Sequence, residues 1–410
     1  MTAAFVADRY TVISADGHAG ASGPEYREYL ASRWYDEFDA WAQIYTNPFA
    51  DLAAANAYRN WDSDRRVAEL EADGIVAEVL FPNTIPPFFP SGALVAPAPT
   101  HDEYEHRWAG LQAHNRWLAD FCERTPGRRA GIAQILLNDV DDACAEIRFV
   151  KEAGLLGGIL LPGVPPNHQI APLWSDVYEP VWSLCEELDV VVNHHSGGGL
   201  PVFDTSDPAA RAVMLVEIPI YAHRALWALI FAGVFERHPR LKFVLTEQGT
   251  GWVPGTLANL DWFAKRMRIP TAAEYQFGGA AVEKLSLTPS EYFRRNCFVG
   301  ASFLRPVESE LRHDVGIDRI MWGSDYPHSE GSYPYSREAL RAAFAHAPEP
   351  EVRTMLGTTA ADVYGFDLDV LDRLAATAGP TVSEIAEPLD AFPADSTCNA
   401  FDPDAIVRTW

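Results

Sequence analysis

The sequence predicts an α/β protein built as a (β/α)8 TIM barrel. Eight short apolar runs of strand type alternate with helical segments along the chain, an arrangement typical of parallel sheets with helices on their faces. No G-x-G-x-x-G motif follows the first of these runs, so the usual reason to prefer an open, doubly wound sheet is missing. Eight repeated units therefore favour a sheet that closes on itself.

The predicted strands are apolar along their length, as expected when both faces of a sheet are covered. They span residues 11–13, 75–81, 130–137, 158–161, 190–192, 241–245, 298–299 and 320–322. Helices are predicted between them from apolar periodicity, from caps such as Asn138 or Asp139, and from terminating glycines such as Gly154. They span residues 65–72, 102–124, 139–153, 172–188, 209–237, 251–268 and 308–313.

The barrel is expected to occupy residues 1–370 as one domain, because α/β barrels are commonly this long. An aromatic-rich insertion over residues 21–61 follows the first strand. Its side chains either cap the barrel core or wall the mouth of a pocket, and the second reading favours a bulky apolar or aromatic ligand. Residues 371–410 are predicted to be a C-terminal extension, in which Asp390–Asp404 resembles a lid or an arm on a neighbouring subunit.

Composition argues against several classes of partner. The chain has 410 residues and a formal net charge of −25, which disfavours nucleic acids and anionic membrane surfaces. Its five cysteines are scattered and form no C-x-x-C pair, so neither a disulfide framework nor a zinc ribbon is indicated. The first ten residues lack a signal-peptide pattern, and the longest apolar run, residues 226–235, is too short to span a bilayer. We therefore expect a cytoplasmic protein that acts on a small molecule, with a homo-oligomer left open.

Side chains that bind metals stand at the ends of four predicted strands. They are Asp16 and His18 after strand one, His194 and His195 after strand five, Glu247 after strand six, and Asp325 after strand eight. Residues i and i+2 of an extended chain point the same way, so Asp16 and His18 can converge on one point. A D-x-H tripeptide alone is a weak signal, and each of the other residues alone would suit a solvated strand end. Their shared position at strand ends, where barrel enzymes carry their chemistry, is what favours a functional site.

Imidazole and carboxylate side chains together form the ligand set of Zn²⁺, Fe²⁺ or Mn²⁺. A carboxylate near such an ion can also take a proton from bound water. The strand ends therefore predict a divalent transition metal, Zn, Fe or Mn, as cofactor.

Longer motifs carry a resemblance to a known family. They are ISADGH, PLWSDVYEPVWSLCEELDVVVNHHSGG, GVFERHPRLKFVLTEQGTGWVP, IMWGSDYPH and VYGFD. In these the chain resembles the amidohydrolase superfamily, specifically the branch of metal-dependent TIM-barrel hydrolases that also contains the aminocarboxymuconate-semialdehyde and γ-resorcylate decarboxylases. The resemblance extends from Tyr10 to about Pro388.

The resemblance implies a role for each strand-end residue. Asp16 and His18 match the strand-one ligand pair, and His195 matches the strand-five ligand, with His194 as its fallback or as a substrate contact. Asp325 matches the strand-eight aspartate, which binds metal and acts as general base. Glu247 stands where most relatives have a strand-six histidine, so it is expected to bind metal, hold a neighbouring histidine or share the general-base work.

The same resemblance has two further implications. Asp16 stands where most relatives have histidine, a ligand change that the family tolerates. Strand four reads Gly157-Gly158-Ile159-Leu160-Leu161 and lacks the lysine that bridges two metals in other relatives. A single metal is therefore implied.

These assignments favour a mononuclear metal-dependent hydrolase that cleaves an ester, thioester or amide of a bulky apolar carboxylic acid. In this hypothesis Asp325 takes the proton of metal-bound water, while Glu247 or His194 orients the tetrahedral intermediate. The alternative is a metal-dependent non-oxidative decarboxylase of an aromatic or unsaturated acid, with Asp325 protonating the carbon. A metal-free binding barrel is a third hypothesis.

Two residues stay open between a site role and a structural one. His328 is either a ligand or substrate clamp, or a loop histidine. Arg224 either binds a substrate carboxylate or forms an ion pair on a helix face.

Overall fold

A computed structural model of the chain describes residues 8–45, 54–166, 168–204 and 206–402. Its centre is one sheet of eight parallel strands that follow one another in sequence order, as the sequence predicts. The strands are β1 (Ile13–Ala19), β2 (Ala77–Pro82), β3 (Arg129–Gln134), β4 (Gly158–Leu160), β5 (Val192–His195), β6 (Phe243–Thr246), β7 (Cys297–Ser302) and β8 (Ile320–Gly323). The predicted (β/α)8 barrel is therefore confirmed.

The sheet nearly closes between its first and last strands. Beyond the end of β8, the N–H of His18 donates to the carbonyl of Tyr326 at 2.7 Å, and the N–H of Asp325 donates to the carbonyl of Asp16 at 2.9 Å. These bonds bring the ends of β1 and β8 side by side.

Helices cover the outside of the barrel and its lower end, which is the end where the strands begin. They are α1 (Tyr35–Ile44), α2 (Ser63–Ala72), α3 (Tyr104–Glu123), α4 (Val140–Glu152), α5 (Glu179–Leu188), α6 (Pro208–Phe231), α7 (Val234–Arg237), α8 (Val253–Met267), α9 (Tyr275–Val282), α10 (Pro289–Asn296), α11 (Pro306–Glu310), α12 (Arg312–Val315), α13 (Ser336–Phe344), α14 (Glu349–Arg353), α15 (Thr359–Tyr364), α16 (Leu368–Ala378) and α17 (Val382–Ile385). A π-helical turn, Thr354–Thr358, joins α14 to α15.

The barrel interior is filled at the end where the strands begin. Ile13 and Met321 from the strands pack there with Tyr364 of α15 and Leu371 of α16 in one buried apolar cluster. The hydroxyl of Tyr364 donates to Asn193 Oδ1 at 2.7 Å inside the barrel. Among the described residues these side chains close this end, so we expect a ligand to enter the barrel from the end where the strands finish.

The first strand differs most from its prediction. β1 runs from Ile13 to Ala19 instead of ending at Ile13, so Asp16 and His18 lie within the strand. Its pairing with β2 shifts register between Ser14 and Gly17. Hydrogen bonds to the turn after β8 keep this polar segment extended.

Helix boundaries also differ in places. The helix predicted over residues 209–237 is two helices, α6 and α7, separated at Gly233, whose φ is 72°. The predicted helix over 172–188 begins only at Glu179, after a 3-10 turn, and α9 and α10 were not predicted. Short or non-periodic helices of this kind give a weak sequence signal.

The aromatic stretch contributes mainly to the core. Tyr26, Trp34 and Phe38 are buried in the large cluster between strands and outer helices. The Tyr26 hydroxyl also lies 2.8 Å from His114 Nδ1. These contacts support the reading of this stretch as barrel-capping core, and Phe49 lies outside the described residues.

α6 is long and apolar enough, by length and composition, to cross a membrane, although 44% of its most apolar stretch is buried. Its C-terminal half, including Leu226 and Leu229, packs in the core. Its N-terminal half exposes Leu215 and Val216. Core helices of soluble proteins share this composition, so the finding is weak support for a membrane span.

Candidate metal centre

Two donors of the site come from β1. Asp16 and His18 are fully buried, and His18 Nε2 lies 3.3 Å from Asp16 Oδ1. Gly323 of β8 allows this arrangement, because a Cβ added there would lie 2.6 Å from the Cβ of Asp16. Ser302 of β7 donates a hydrogen bond to Asp16 Oδ2, which leaves Oδ1 to face His18.

β5 and β6 supply two more donors. His195 Nε2 lies 3.5 Å from Asp16 Oδ1 and 3.1 Å from Glu247 Oε2. Glu247 follows β6 in a left-handed conformation with φ of 57°, which is uncommon for a residue with a side chain. One donor atom from each of Asp16, His18, His195 and Glu247 lies within 4.8 Å of the others.

A second group shares His18 and follows β8. Asp325 Oδ1 lies 3.0 Å from His18 Nε2 and 2.9 Å from His328 Nδ1. The His328 ring packs against His18 with 4.1 Å between centroids and a tilt of 31° between the ring planes. His328 Nε2 lies 3.2 Å from Asn83 Oδ1. Asp325, like Glu247, has a positive φ, here 58°. Strained backbone of this kind is often found at functional sites.

Buried neighbours fix the strand that carries the first two donors. Arg66 of α2 is fully buried and donates from Nη1 to the carbonyl of His18 at 2.8 Å. Its charge is balanced by Glu78 of β2, whose carboxylate lies 2.8 Å from Arg66 Nε. The ring of Phe81 packs against His195 at 4.6 Å between centroids.

The donor set fits a cation. Asp16 Oδ1, His18 Nε2, His195 Nε2 and Asp325 Oδ2 are buried and have no hydrogen-bond partner among the described residues. Buried carboxylates are costly unless they are paired or bind a metal. A divalent cation between these atoms would satisfy the unpaired donors and offset their negative charge.

The pKa values of the carboxyl groups reflect this crowding. Burial acts to raise the pKa of Asp16, but the neighbouring imidazoles of His18 and His195 hold that pKa below its ordinary value. Burial, together with the charges of Asp325 and Asp16, raises the pKa of Glu247 to about 8. Among the carboxyls of the four-residue cluster, Glu247 is thus the one most easily protonated before a cation binds.

His328 and Asp325 form a charged pair. Burial acts to lower the pKa of His328, but the Asp325 carboxylate raises it to about 10. Burial acts to raise the pKa of Asp325, but the His328 imidazolium holds that pKa below its ordinary value. The pair therefore keeps a proton on His328 at neutral pH.

The structure brings Asp16, His18, His195, Glu247 and Asp325 together, but not His194. Successive strand residues point to opposite faces, so His195 faces the barrel interior and His194 faces outward, its Nδ1 3.1 Å from the Leu161 carbonyl. Burial lowers the pKa of His194 to about 4. His194 is therefore not placed to orient an intermediate at the metal centre.

Sequence reasoning left His328 open and missed Asn83 and Arg66. His328 follows the strand-eight aspartate by three residues, and Asn83 comes directly after β2, so both positions carried a strand-end signal. Arg66 lies inside a predicted helix and gave none.

Comparisons with known proteins place these residues in context. The amidohydrolase family model matches residues 35–366. The γ-resorcylate decarboxylase of Polaromonas sp. strain JS666 is 27% identical over 278 residues, covering 64% of this chain and 76% of that protein. The 2-amino-3-carboxymuconate-6-semialdehyde decarboxylase of Dictyostelium discoideum is 27% identical over 311 residues, covering 75% and 77%. Other γ-resorcylate decarboxylases match over 64% of their own length.

Solved structures share the fold. The 5-carboxyvanillate decarboxylase of Novosphingobium aromaticivorans, complexed with manganese, has a TM-score of 0.65 at 20% identity, covering 87% of this chain and 96% of that one. The dihydroxybenzoic acid decarboxylase of Polaromonas sp. JS666, with bound manganese, has a TM-score of 0.59 at 19% identity, covering 87% and 97%. Both of these structures contain manganese, and the donor cluster described above is of a kind that could hold a metal ion.

The comparisons overturn the main functional prediction. The prediction that the chain hydrolyses an ester, thioester or amide is wrong, because the curated relatives are decarboxylases. They favour the alternative that the sequence also offered, a metal-dependent decarboxylase.

Proposed function

The chain belongs to the amidohydrolase family, and on that premise we propose that it is a metal-dependent non-oxidative decarboxylase of an aromatic or unsaturated carboxylic acid. One observation carries the proposal: the Asp325–His328 pair lies against the donor cluster of a chain whose curated relatives are decarboxylases. The site thus combines donor atoms for a cation with a pair of residues, Asp325 and His328, that can hold and transfer a proton.

In this proposal Asp16, His18 and His195 hold one divalent metal, Zn, Fe or Mn, with Glu247 and Asp325 as further ligands. Bound there, the ion would act as a Lewis acid on substrate oxygens. The protein's part is to hold the acid with its carboxylate-bearing carbon facing Asp325. Phe81, packed on His195, offers an apolar surface beside that position.

Decarboxylation also requires a proton for the carbon that loses its carboxylate. The bond between the ring or chain carbon and the carboxylate breaks, carbon dioxide leaves, and the carbon takes one proton in its place. His328, which holds the proton of the pair and lies 2.9 Å from Asp325 Oδ1, is the proposed source of that proton, and Asp325 passes it to the carbon. Asn83 Oδ1 lies 3.2 Å from His328 Nε2, and this contact orients the imidazole ring of His328.

Glu247 replaces an imidazole with a carboxylate, which adds negative charge where the substrate is also an anion. Its Oε2, 3.1 Å from His195 Nε2, suits a metal ligand or an acceptor that fixes His195. We propose the ligand role, because a bound cation offsets the repulsion between Glu247, Asp16 and Asp325.

Isotope labels test the proposal. The manganese-loaded protein is incubated with 2,6-dihydroxybenzoate, 5-carboxyvanillate and related hydroxybenzoates in deuterium oxide. Decarboxylation predicts carbon dioxide release and one deuterium at the carbon that lost its carboxylate. Hydrolysis of the methyl esters of these acids, with ¹⁸O from labelled water in the acid formed and no carbon dioxide released from the free acids, would overturn it.

We further propose a cytoplasmic protein that forms a homo-oligomer. The five cysteines are all unpaired, which suits a reducing compartment. The exposed Leu215 and Val216 on α6 suit a subunit contact, since large exposed apolar patches often mark interfaces. Light scattering of the purified chain tests the second point: a monomer at micromolar concentration would contradict it.

A further inference from the structure

A cleft of about 860 Å³ lies outside the barrel, between α5, α6 and α9. The metal donor His195 does not line it, whereas His194, on the opposite face of β5, does. Its volume falls within the range of small-molecule sites, which hold mostly apolar walls and a few polar groups. It is the place in the described chain where the two residues that the metal centre does not use, His194 and Arg224, come together.

Small side chains create the cleft. α6 presents Ala225 and Ala228 to it, and Ala281 follows on α9, so these helices leave a gap where larger residues would fill the space. Aromatic residues form much of the remaining wall, and Trp174 at the rim is 58% exposed. Such a surface suits a flat apolar ring system.

Positive charge distinguishes the cleft from the rest of the protein. Three cationic side chains and two carboxylates line it, in a chain whose net charge is −25. Arg237 is neutralised by Glu179 at 2.9 Å. Arg224 is half-buried, and neither its guanidinium nor the Lys284 ammonium has an ion-pair or hydrogen-bond partner among the described residues. Asp176, the other carboxylate, and Lys284 are both exposed to water, so the effect of each charge on the cleft is screened.

An unpaired guanidinium beside an apolar wall is a ready partner for a carboxylate or sulfonate. The helix-face ion pair that the sequence left open for Arg224 is not formed with any of the described residues. The cationic character of the cleft therefore rests mainly on the half-buried Arg224, with the exposed Lys284 as a second cation.

We propose that this cleft is a second ligand site, which binds an amphipathic organic anion: one or two apolar rings carrying one carboxylate or sulfonate. Arg224 and Lys284 bind the anionic group, and Trp174 and the alanine wall bind the rings. The site is independent of the metal centre, so its test does not depend on decarboxylation.

Fluorescence titration of the metal-loaded full chain with 1-anilinonaphthalene-8-sulfonate provides the test, with neutral N-phenyl-1-naphthylamine as the matched probe. The variant pair is Arg224→Gln with Lys284→Gln. Its control is Arg373→Gln with Lys151→Gln, which removes equal charge from exposed positions elsewhere. A third variant, Ala281→Trp, fills the cleft, and circular dichroism verifies the fold of each.

We expect one sulfonate probe per chain, bound at least about tenfold more weakly by the Arg224/Lys284 variant than by the control. The neutral probe should bind both variants alike, and Ala281→Trp should abolish both signals. Equal sulfonate affinity in the two charge variants would overturn the proposal. So would a sulfonate probe that binds nowhere while the Arg224/Lys284 variant changes oligomeric state, since the cleft would then be a subunit contact.

Discussion

Asp325 carries most of the proposed chemistry at the scale of single residues, because it touches both His18 and His328. Asp325→Asn keeps the shape of the side chain but cannot pass a proton to carbon. We expect kcat for decarboxylation to fall at least about 100-fold, as for loss of a general acid. Rates of carbon dioxide release measure the change, with the exposed Asp369→Asn as control. Activity within a few-fold of the unchanged protein would refute the assignment.

His328 predicts a pH dependence of stability in the metal-free protein. The raised pKa, about 10 in the folded state against an ordinary 6.5, means that folding favours the protonated imidazole. The resulting stabilisation is full below about pH 6.5 and is lost as the pH rises toward 10, with a slope of at most about 1.4 kcal/mol per pH unit.

Denaturant unfolding at pH 7, 8, 9 and 10 tests the direction in which stability changes with pH. The free energy of unfolding should fall over this range more steeply in the unchanged protein than in His328→Gln. Parallel slopes for the two proteins would show that His328 is not held protonated by Asp325.

For single residues, the sequence predicted which side chains are donors better than it predicted which way those side chains point. It identified Asp16, His18, His195 and Asp325 as strand-end donors, and the structure brings them together. Residue type alone could not choose between His194 and His195, since both suit a metal, although the family resemblance favoured His195. In the structure His195 lies with the other donors, whereas His194 lies on the opposite face of β5.

At the scale of elements, β1 and β8 set the geometry of the site. Their close approach depends on Gly323, where a Cβ would lie 2.6 Å from the Cβ of Asp16 and 3.1 Å from its N atom. The same two segments exchange hydrogen bonds at the turn after β8.

Gly323→Ala should therefore force the strands apart. We expect a loss of stability of about 1–3 kcal/mol, as for other overpacked sites, and weaker manganese binding by calorimetry. Gly23→Ala is the matched control, because nothing lies within 4 Å of a Cβ added there. Equal metal affinity in both variants would contradict the link between this strand contact and the metal centre.

Most elements could be predicted because each has a local signal. The apolar runs gave all eight strands, but not the length of β1, whose continuation Ser14–His18 is largely polar. Those residues stay extended because of bonds to distant partners, such as Ser14 Oγ to Ser324 Oγ at 2.9 Å. Bonds between residues 310 positions apart leave no trace in local composition.

At the scale of the whole molecule, the metal should stabilise the fold. Three carboxylates and three imidazoles meet at the open end of the barrel, and a ligand that binds only the folded state adds stability by mass action, about 2.7 kcal/mol at 100 times its Kd. Chelation should lower the melting temperature, and manganese should restore it.

Asp16→Asn serves as the matched protein, since it loses one charged donor while keeping its volume. Its melting temperature should respond to manganese much less than that of the unchanged chain. An equal response in both would place the stabilising ion elsewhere.

The fold class and family followed from the sequence because both depend on patterns that recur along the chain. The reaction did not, because hydrolysis and decarboxylation use the same donors and differ in what happens to one carbon. The division into a barrel over residues 1–370 and an extension over 371–410 stays a prediction, although α16 packs against the lower end of the barrel.

An anomalous difference map from a crystal of the manganese-loaded protein tests the central claim most directly. We predict one strong peak per chain, bounded by Asp16 Oδ1, His18 Nε2 and His195 Nε2. A map with no peak at that position, or with its strongest peak away from the strand ends, would contradict the account.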